Sequence, residues 1–353
     1  MYLSMLIVVL ISSIGTILFT LLYGLAALST RSNLLWILLL GRVAGGVGTS
    51  LLFSAPEAWL VGEHQRRGFD SKWLGQTFGW AYAGDALVAI TAGQLASIMD
   101  AKQGPTGPFT LSLGFLLGGA ILAFFRWKEN KAPKDSASSG NSLNINDAMT
   151  KVLEDKRILL VGAVQAMFEG AMYIFVLQWP PAIRAAVISQ FGEAATVPYG
   201  KIFSCFMASC LLGTTAFGSL QNRGVQMETT SAGMLAVAAA AMGIATASIS
   251  GASMTSLTAA FLAFEICVGM YFPLIGTLRS NYIPDSHRSV IMNLFGIPLN
   301  LIVVSVFLSI KRLGVKGALA CSTTSLTIAT LCMYSLRSWK LHEKGVGNDS
   351  NST

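Results

Sequence analysis

Residues 38–59 read LLLGRVAGGVGTSLLFSAPEAW, a stretch that is apolar or small except for Arg42 and, near its end, Glu57. A run of this length is sufficient to cross a membrane as a helix. A charged side chain near the centre of a membrane helix costs about 2.5–3.5 kcal/mol on insertion scales, so a chain that keeps one usually supplies a partner or a ligand for it. The stretch therefore predicts a membrane helix and raises the question of what Arg42 binds.

The composition of the whole chain is that of a membrane protein. Of its 353 residues, 53% are hydrophobic and 12% are charged, whereas soluble domains are about 25% charged. We therefore expect an all-α polytopic membrane protein with about ten transmembrane helices. The first helix has no basic residue ahead of it, so we expect it to be retained rather than cleaved as a signal peptide. The predicted spans lie at 3–28, 34–60, 73–99, 109–126, 158–180, 199–219, 231–250, 256–276, 290–310 and 317–336.

One long polar break divides these helices. The residues between the fourth and fifth spans are rich in charge, Ser and Asn, with SASSGNS at 136–142 predicted to be flexible and an amphipathic helix possible over 145–157. Many secondary transporters pair two six-helix halves, and by that template the first half lacks two helices. The expected domains are an N-terminal membrane half with four helices at 1–126, a cytosolic linker at 127–157, a C-terminal six-helix half at 158–337 and a cytosolic tail at 338–353.

The charges and the missing motifs disfavour several classes of function. With the N-terminus in the cytosol, most of the 24 Lys and Arg residues fall in loops on the cytosolic side, so the net charge of +7 reflects topology and we expect no nucleic-acid partner. All five cysteines lie in predicted spans and the three histidines are far apart in loops, so we expect no disulfide, no metal site and no cofactor. The absence of a Walker loop, a dinucleotide fingerprint, a nucleophile elbow and an HExxH motif disfavours an ATP-driven pump or an enzyme.

The helix that carries Arg42 is also rich in glycine. On a helical wheel Arg42 shares a face with Thr49, beside a stripe of small residues. Three roles stay open for Arg42: a counter-charge to an acid on a neighbouring helix, part of an anion pathway, or a snorkelling side chain. Small residues at this spacing favour close helix packing, and those expected to provide it are Gly41, Gly45, Gly46 and Gly48.

A polar stripe marks the fifth span. Gln165, Glu169 and Tyr173 are each four residues apart, so they lie on one face of an otherwise apolar helix. Two interpretations stay open, a set of hydrogen bonds between helices and the lining of a substrate path. The span is followed by Trp179-Pro180-Pro181, which we expect to end the helix.

Three polar residues in later spans are further candidates for the pathway. Glu265 is a single acid in the middle of its span, either a proton carrier or the partner of an arginine. Asn293 and Asn300 are seven residues apart and share a face, with Gly296 and Pro298 loosening the backbone between them. The two amides either line the path or form hydrogen bonds between helices.

Three long stretches resemble a known family. GRVAGGVGTS, at 41–50, is similar to the RxxxGxG signature of the fourth helix in the major facilitator superfamily. More narrowly, the chain resembles the molybdate-anion transporter branch over about residues 17–336, in three motifs that occur in the right order: GRVAGGVGTSLLFSAPEAWLVGEHQRRGF, VQAMFEGAMYIFVLQWPPAI and GMYFPLIGTLRSNYIPDSHRSVIMNLFGIPLNLIV. The resemblance implies a bundle of two helical halves with alternating access, high-affinity uptake of molybdate for molybdenum-cofactor synthesis, and a plasma-membrane location.

The sequence departs from the family pattern at two points. The resemblance begins at the family's third helix, so its first two helices are expected to be missing. In addition, Gly296 stands where the family usually carries an arginine before its (I/V)PLN sequence. Two alternatives to a molybdate transporter therefore stay open: a truncated paralogue or isoform that does not transport, and a superfamily transporter of a different small solute.

The chemistry of molybdate suggests roles for the polar residues. A tetrahedral dianion is best held by guanidinium groups and neutral donors, and Arg42, Tyr173, Asn293 and Asn300 have these side chains. Ionised Glu169 and Glu265 would not touch a dianion, so they would balance Arg42 or bind a coupling proton. We expect Arg42 to face the central cavity and to add positive potential to an oxyanion path through the lipid bilayer.

Overall fold

A computed structural model describes residues 13–69, 71–126, 145–251, 253–283 and 288–349, and in these ranges the chain is helical and has no strand. Each apolar segment predicted from the sequence overlaps one of the helices, which confirms an all-α polytopic fold. In chain order the helices are α1 Ser13–Ser29, α2 Leu35–Arg66, α3 Ser71–Gln103, α4 Gly107–Arg126, α5 Ile145–Glu154, α6 Lys156–Phe191, α7 Tyr199–Asn222, α8 Met227–Gly251, α9 Met254–Tyr282, α10 Arg288–Leu308 and α11 Ile310–Asp349.

Length and hydropathy identify the helices able to cross a bilayer. In the described part of the chain, α4, α6, α7, α8, α9 and α11 are long and apolar enough to do so. Shorter apolar helical segments cover Thr20–Ser29, Leu35–Thr49 and Leu294–Leu308. The total number of crossings stays a prediction.

The chain divides into two compact units, Met1–Gly140 and Asn141–Thr353. The border falls inside the predicted linker, whose residues 127–144 lie outside the described part. The predicted domain boundaries themselves stay predictions. In the first unit, α1 packs against both α2 and α4, and α3 packs against α4. A hydrogen bond joins the first pair, with the hydroxyl oxygens of Tyr23 and Thr49 2.8 Å apart.

The glycines of α2 differ in their surroundings. A side chain at Gly41 would overlap Ser29 of α1, and a Cβ at Gly48 would lie 2.9 Å from the ring of Tyr23. A Cβ at Gly45 would lie in ordinary contact with α1, whereas one at Gly46 would meet nothing within 4 Å. The close approach of α2 to α1 thus depends on Gly41 and Gly48.

The second unit is built around aromatic side chains of α6, α7 and α9. The ring of Phe175 lies 5.1 Å from that of Phe261 and 5.8 Å from that of Phe206. The ring of Trp179 also packs on Phe206, with the two ring centroids 5.1 Å apart. These rings are apolar and form a continuous layer, so they fix α6 against its neighbours.

Helix α6 does not end where the sequence suggested. The expectation that Trp179-Pro180-Pro181 would end it is wrong, because α6 contains both prolines and continues to Phe191. Proline removes a backbone hydrogen bond, but a membrane helix tolerates the loss when its neighbours support it. Here Trp179 packs on Tyr199 and Phe206 of α7. These side-chain contacts stabilise the helix where the two prolines weaken its backbone hydrogen bonding.

Two local features shape the ends of the helices in the second unit. The carboxylate of Asp155 accepts a hydrogen bond of 2.8 Å from the backbone N–H of Arg157 and caps the start of α6. Helix α5 ends one residue earlier, at Glu154, and covers part of the stretch for which an amphipathic helix was considered. Near the start of α11, Gly314 has a φ of 60° and interrupts the helix.

Helices α7 and α9 approach each other at backbone distance. A Cβ at Gly269 of α9 would overlap the carbonyl oxygen of Cys210, and a Cβ at Gly213 of α7 would overlap that of Ile266. At the same level, the Thr214 hydroxyl donates a 3.1 Å hydrogen bond to the carbonyl of Gly269. Small residues at such crossings allow this contact in membranes.

We expect Gly269→Ala to destabilise the protein by about 1–3 kcal/mol, since the new methyl group would push α7 and α9 apart. The matched control is Gly276→Ala on the same helix, where a Cβ meets nothing within 4 Å. Thermal unfolding of both variants in one detergent compares them. Equal unfolding midpoints would contradict the close contact.

Candidate functional site

Four polar side chains from α6 and α9 meet inside the second unit. The Arg279 guanidinium donates from Nε to Gln165 Oε1 at 3.0 Å and from Nη2 to Glu169 Oε1 at 3.1 Å. The Tyr271 hydroxyl donates to the same Glu169 oxygen at 2.9 Å. We call Gln165, Glu169, Tyr271 and Arg279 the α6–α9 cluster.

The helical repeat and aromatic packing position this cluster. Gln165 and Glu169 are one turn apart on α6, so a single guanidinium can reach both. The Tyr271 ring stacks on that of Phe168 with centroids 4.0 Å apart and an interplanar angle of 16°. Because Tyr271 is almost completely buried, this stacking fixes the direction in which its hydroxyl donates.

The electrostatics of the cluster are those of a shielded ion pair. The side chains of Arg279 and Glu169 are 18% and 20% exposed, and the pair is neutral overall when both groups are charged. Within the described part of the chain, Nη1 of Arg279 and Oε2 of Glu169 have no hydrogen-bond partner. A guanidinium has five N–H donors, and two of them are used in these hydrogen bonds, so the cluster holds a cation with donors left for a further acceptor.

The sequence identified only half of this cluster. Gln165 and Glu169 were predicted from their spacing, but Tyr173, the third member of the stripe, is exposed and lies outside the cluster. Arg279 lies beyond the predicted span at 256–276, so the sequence places it in a loop, whereas α9 continues to Tyr282. The spacing of Tyr271 and Arg279 by eight residues, which places them near one face of a helix, was the available signal.

The sequence left two roles for Glu169, balancing Arg42 or binding a coupling proton, and in the structure the cation paired with Glu169 is Arg279. Arg42 is exposed, and no ion pair or hydrogen bond joins it to any residue in the described ranges. Two acids in the predicted spans of the same unit could also carry charge. Asp85 of α3 is exposed, and the side chain of Glu57 lies outside the described residues. The pathway role of Arg42 stays a prediction.

The other candidate residues are dispersed. Glu265 is 6% exposed and lies on α9 near Cys210 of α7, with no hydrogen bond or ion pair to any described residue. Asn300 is exposed and donates a 2.7 Å hydrogen bond to the carbonyl of Gly296 in its own helix. The side chain of Asn293 lies outside the described residues. The structure thus brings neither Glu265 nor Asn300 into the α6–α9 cluster.

A second cluster of charges, missed from the sequence, joins α8, α9 and α11. The carboxylate of Glu228, 1% exposed, accepts a 2.6 Å hydrogen bond from Lys340 and a 2.8 Å hydrogen bond from the Tyr282 hydroxyl. Both donors bind Oε1, and Oε2 is buried without a partner among the described residues. This cluster joins the start of α8 and the end of α9 to α11.

Comparisons with known proteins identify the family. A family profile of the major facilitator superfamily, described as sugar transporters with 12 transmembrane segments, matches residues 10–272. The chain belongs to the major facilitator superfamily. Two relatives are molybdate-anion transporters: that of Xenopus laevis is 30% identical over 331 residues, covering 91% of this chain and 70% of the frog protein. That of Danio rerio is 30% identical over 318 residues, covering 81% of this chain and 63% of the fish protein.

These relatives place this superfamily member in the molybdate-anion transporter branch, so it is a multi-pass membrane protein of a transporter family. Solved structures agree on the fold. A bacterial homologue of the iron transporter ferroportin in an inward-facing state has a TM-score of 0.63 at 14% identity, covering 92% of this chain and 82% of its own. The Escherichia coli fucose:proton symporter has a TM-score of 0.54 at 17% identity, covering 92% and 83%. That two N-terminal helices are missing stays a prediction.

We expect Lys340→Met to destabilise this superfamily member by about 2 kcal/mol, because it leaves the buried Glu228 carboxylate without its cation. Adding Glu228→Gln removes the stranded charge, so the double variant should regain much of the loss. Unfolding midpoints of wild type, Lys340→Met, Glu228→Gln and the double variant measure this. Additive losses in the double variant would show that the two side chains do not stabilise each other.

Proposed function

We propose that this protein is a secondary transporter that moves molybdate, or a related oxyanion, across the plasma membrane by alternating access. The observation that carries the proposal is the Arg279 guanidinium, which two hydrogen bonds hold against α6 while its Nη1 has no partner among the described residues. The names of the relatives supply the substrate class. Sulfate and tungstate share the charge and tetrahedral shape of molybdate and are the natural competitors.

The α6–α9 cluster has suitable chemistry for a tetrahedral dianion. A guanidinium forms strong, directional hydrogen bonds to oxyanions. The Gln165 amide NH2 can donate as a neutral group, and the Tyr271 hydroxyl can do so once it releases Glu169, to which its single proton is donated here. Arg42 adds positive potential along the path, with Tyr173, Asn293 and Asn300 as further neutral donors and Glu265 as a second proton acceptor. Gly41, Gly45, Gly46 and Gly48 serve helix packing in this proposal.

The protonation state of Glu169 would control the binding of the oxyanion in this proposal. An ionised Glu169 repels an incoming dianion and competes with it for Arg279. A proton on Oε2 of Glu169 removes the repulsion and leaves the full charge of Arg279 for the substrate. Proton and oxyanion would therefore bind together, so the proposal includes a coupling proton.

Replacing Arg279 tests the anion contact. We expect Arg279→Gln to lower molybdate uptake at least tenfold, since a charge-assisted hydrogen bond contributes roughly 1.5–3 kcal/mol. Arg279→Lys keeps the positive charge but loses the planar, forked donor geometry of the guanidinium, so molybdate uptake by this variant should be intermediate. Cellular molybdenum, measured by elemental mass spectrometry in molybdate-starved cells at matched surface expression, gives the result.

The control for this experiment is Arg184→Gln, which removes an exposed arginine elsewhere in the same unit. Arg42→Gln belongs in the same series and should lower uptake if Arg42 lines the path. Sulfate and tungstate should compete, whereas neutral sugars should not. Wild-type uptake by Arg279→Gln, or competition by sugars alone, would reject an oxyanion site at Arg279.

A pH series tests the role of Glu169. In the described structure the titratable groups that contact Glu169 are Tyr271 and Arg279. If a coupling proton binds Glu169 and is carried with the oxyanion, lower external pH should raise wild-type uptake, because the proton is then a co-substrate at higher concentration. Glu169→Gln mimics the protonated form, so its uptake should lose that pH dependence. If molybdate uptake by Glu169→Gln kept the pH dependence of the wild type, Glu169 would be excluded as the proton acceptor.

A further inference from the structure

A groove runs along α8 and α9 and begins at the turn that joins α7 to α8. Helix α7 contributes one of its lining residues, Leu220, and the turn contributes Val225. The groove has a volume of about 370 Å³. Among the residues that line it are Leu220, Gly233, Val237, Ala263 and Met270.

The lining excludes a polar occupant. Among the described lining residues, those with hydroxyl side chains are Thr229 and Thr230. The hydroxyl of Thr230 already donates to the carbonyl of Gln226 at 3.2 Å. All three helices are long and apolar enough to cross a membrane. An occupant therefore comes from the bilayer and contributes a hydrocarbon chain.

A cation stands at the end of this groove where α7 turns into α8. Arg223 follows α7, is exposed, and forms no side-chain ion pair or hydrogen bond with any described residue. The carbonyl of Leu220, a lining residue, accepts from the backbone N–H of Arg223 at 3.2 Å and from that of Val225, another lining residue, at 3.4 Å. The guanidinium is thus attached within one turn of the apolar groove.

We propose that this groove binds one anionic glycerophospholipid, with an acyl chain along α8 and α9 and its phosphate at Arg223. An apolar groove that ends at an arginine without a protein partner complements a molecule with a hydrocarbon tail and an anionic head. The charge distribution of the sequence places Arg223 on the cytosolic side, where membranes carry their anionic lipids. The site is separate from the α6–α9 cluster and does not rest on the proposed substrate.

Gly233 offers a way to fill the groove without disturbing the helices. A Cβ at Gly233 meets no atom within 4 Å, although the residue lines the groove. Gly233→Leu therefore places a side chain in the space assigned to the acyl chain. Gly218→Leu is the matched control, because Gly218 of α7 is also open around its Cβ but is not among the lining residues.

Native mass spectrometry of the purified full chain measures the bound lipid. The protein is equilibrated with phosphatidylserine and phosphatidylcholine that carry identical acyl chains, at equal mole fractions. Wild type should retain phosphatidylserine in preference to phosphatidylcholine. Gly233→Leu should lose the retained lipid of both kinds, while Gly218→Leu should behave as wild type.

Arg223→Gln tests the head-group contact, with Arg184→Gln as the control for loss of a surface charge. A basic residue near an anionic surface changes binding about fivefold. We therefore expect Arg223→Gln to lower the preference for phosphatidylserine by about that factor and to keep phosphatidylcholine binding unchanged. Unfolding midpoints establish that all variants are folded. Equal retention of the two lipids by wild type, or unchanged retention by Gly233→Leu, would overturn the proposal.

Discussion

The ion pair between Glu169 and Arg279 is the interaction on which the candidate site depends. Charged groups among membrane helices are expensive unless they are paired, and this pair is completed by the Gln165 amide and the Tyr271 hydroxyl. Removing either charge would strand the other in a medium of low dielectric constant. The pair thus stabilises the contact of α6 with α9 and, at the same time, keeps a cation available within the bundle.

Rigid packing surrounds this polar contact. The Tyr271 ring is stacked on Phe168, and Phe175 and Phe264 extend the aromatic layer on the same side, with ring centroids 5.0 Å apart. Helix α9 is held on its other side by the backbone contact with α7 at Gly213 and Gly269. A helix that is packed on two sides has little freedom to slide, so this packing holds Tyr271 and Arg279 opposite Glu169.

Much of the fold could be predicted from the sequence, but only part of the site. Hydrophobic runs locate the membrane helices because burial in lipid requires them, and a spacing of four residues places Gln165 and Glu169 on one face. Hydropathy cannot locate the end of a helix that continues into polar residues, and Arg279 was missed for this reason. The extent of α6 was misjudged because the packing of Trp179 on α7, which carries the helix past Pro180 and Pro181, is a tertiary contact.

The hydrogen bonds at Glu169 also share an acceptor. Tyr271 and Arg279 both donate to the same oxygen, Oε1. A rotation about the side-chain torsions of Glu169 therefore breaks both bonds in one movement. Tyr271 and Arg279 stand about 12 Å apart along the axis of α9, yet they lose their contacts with the carboxylate together. The orientation of one side chain, Glu169, therefore controls two contacts between α6 and α9.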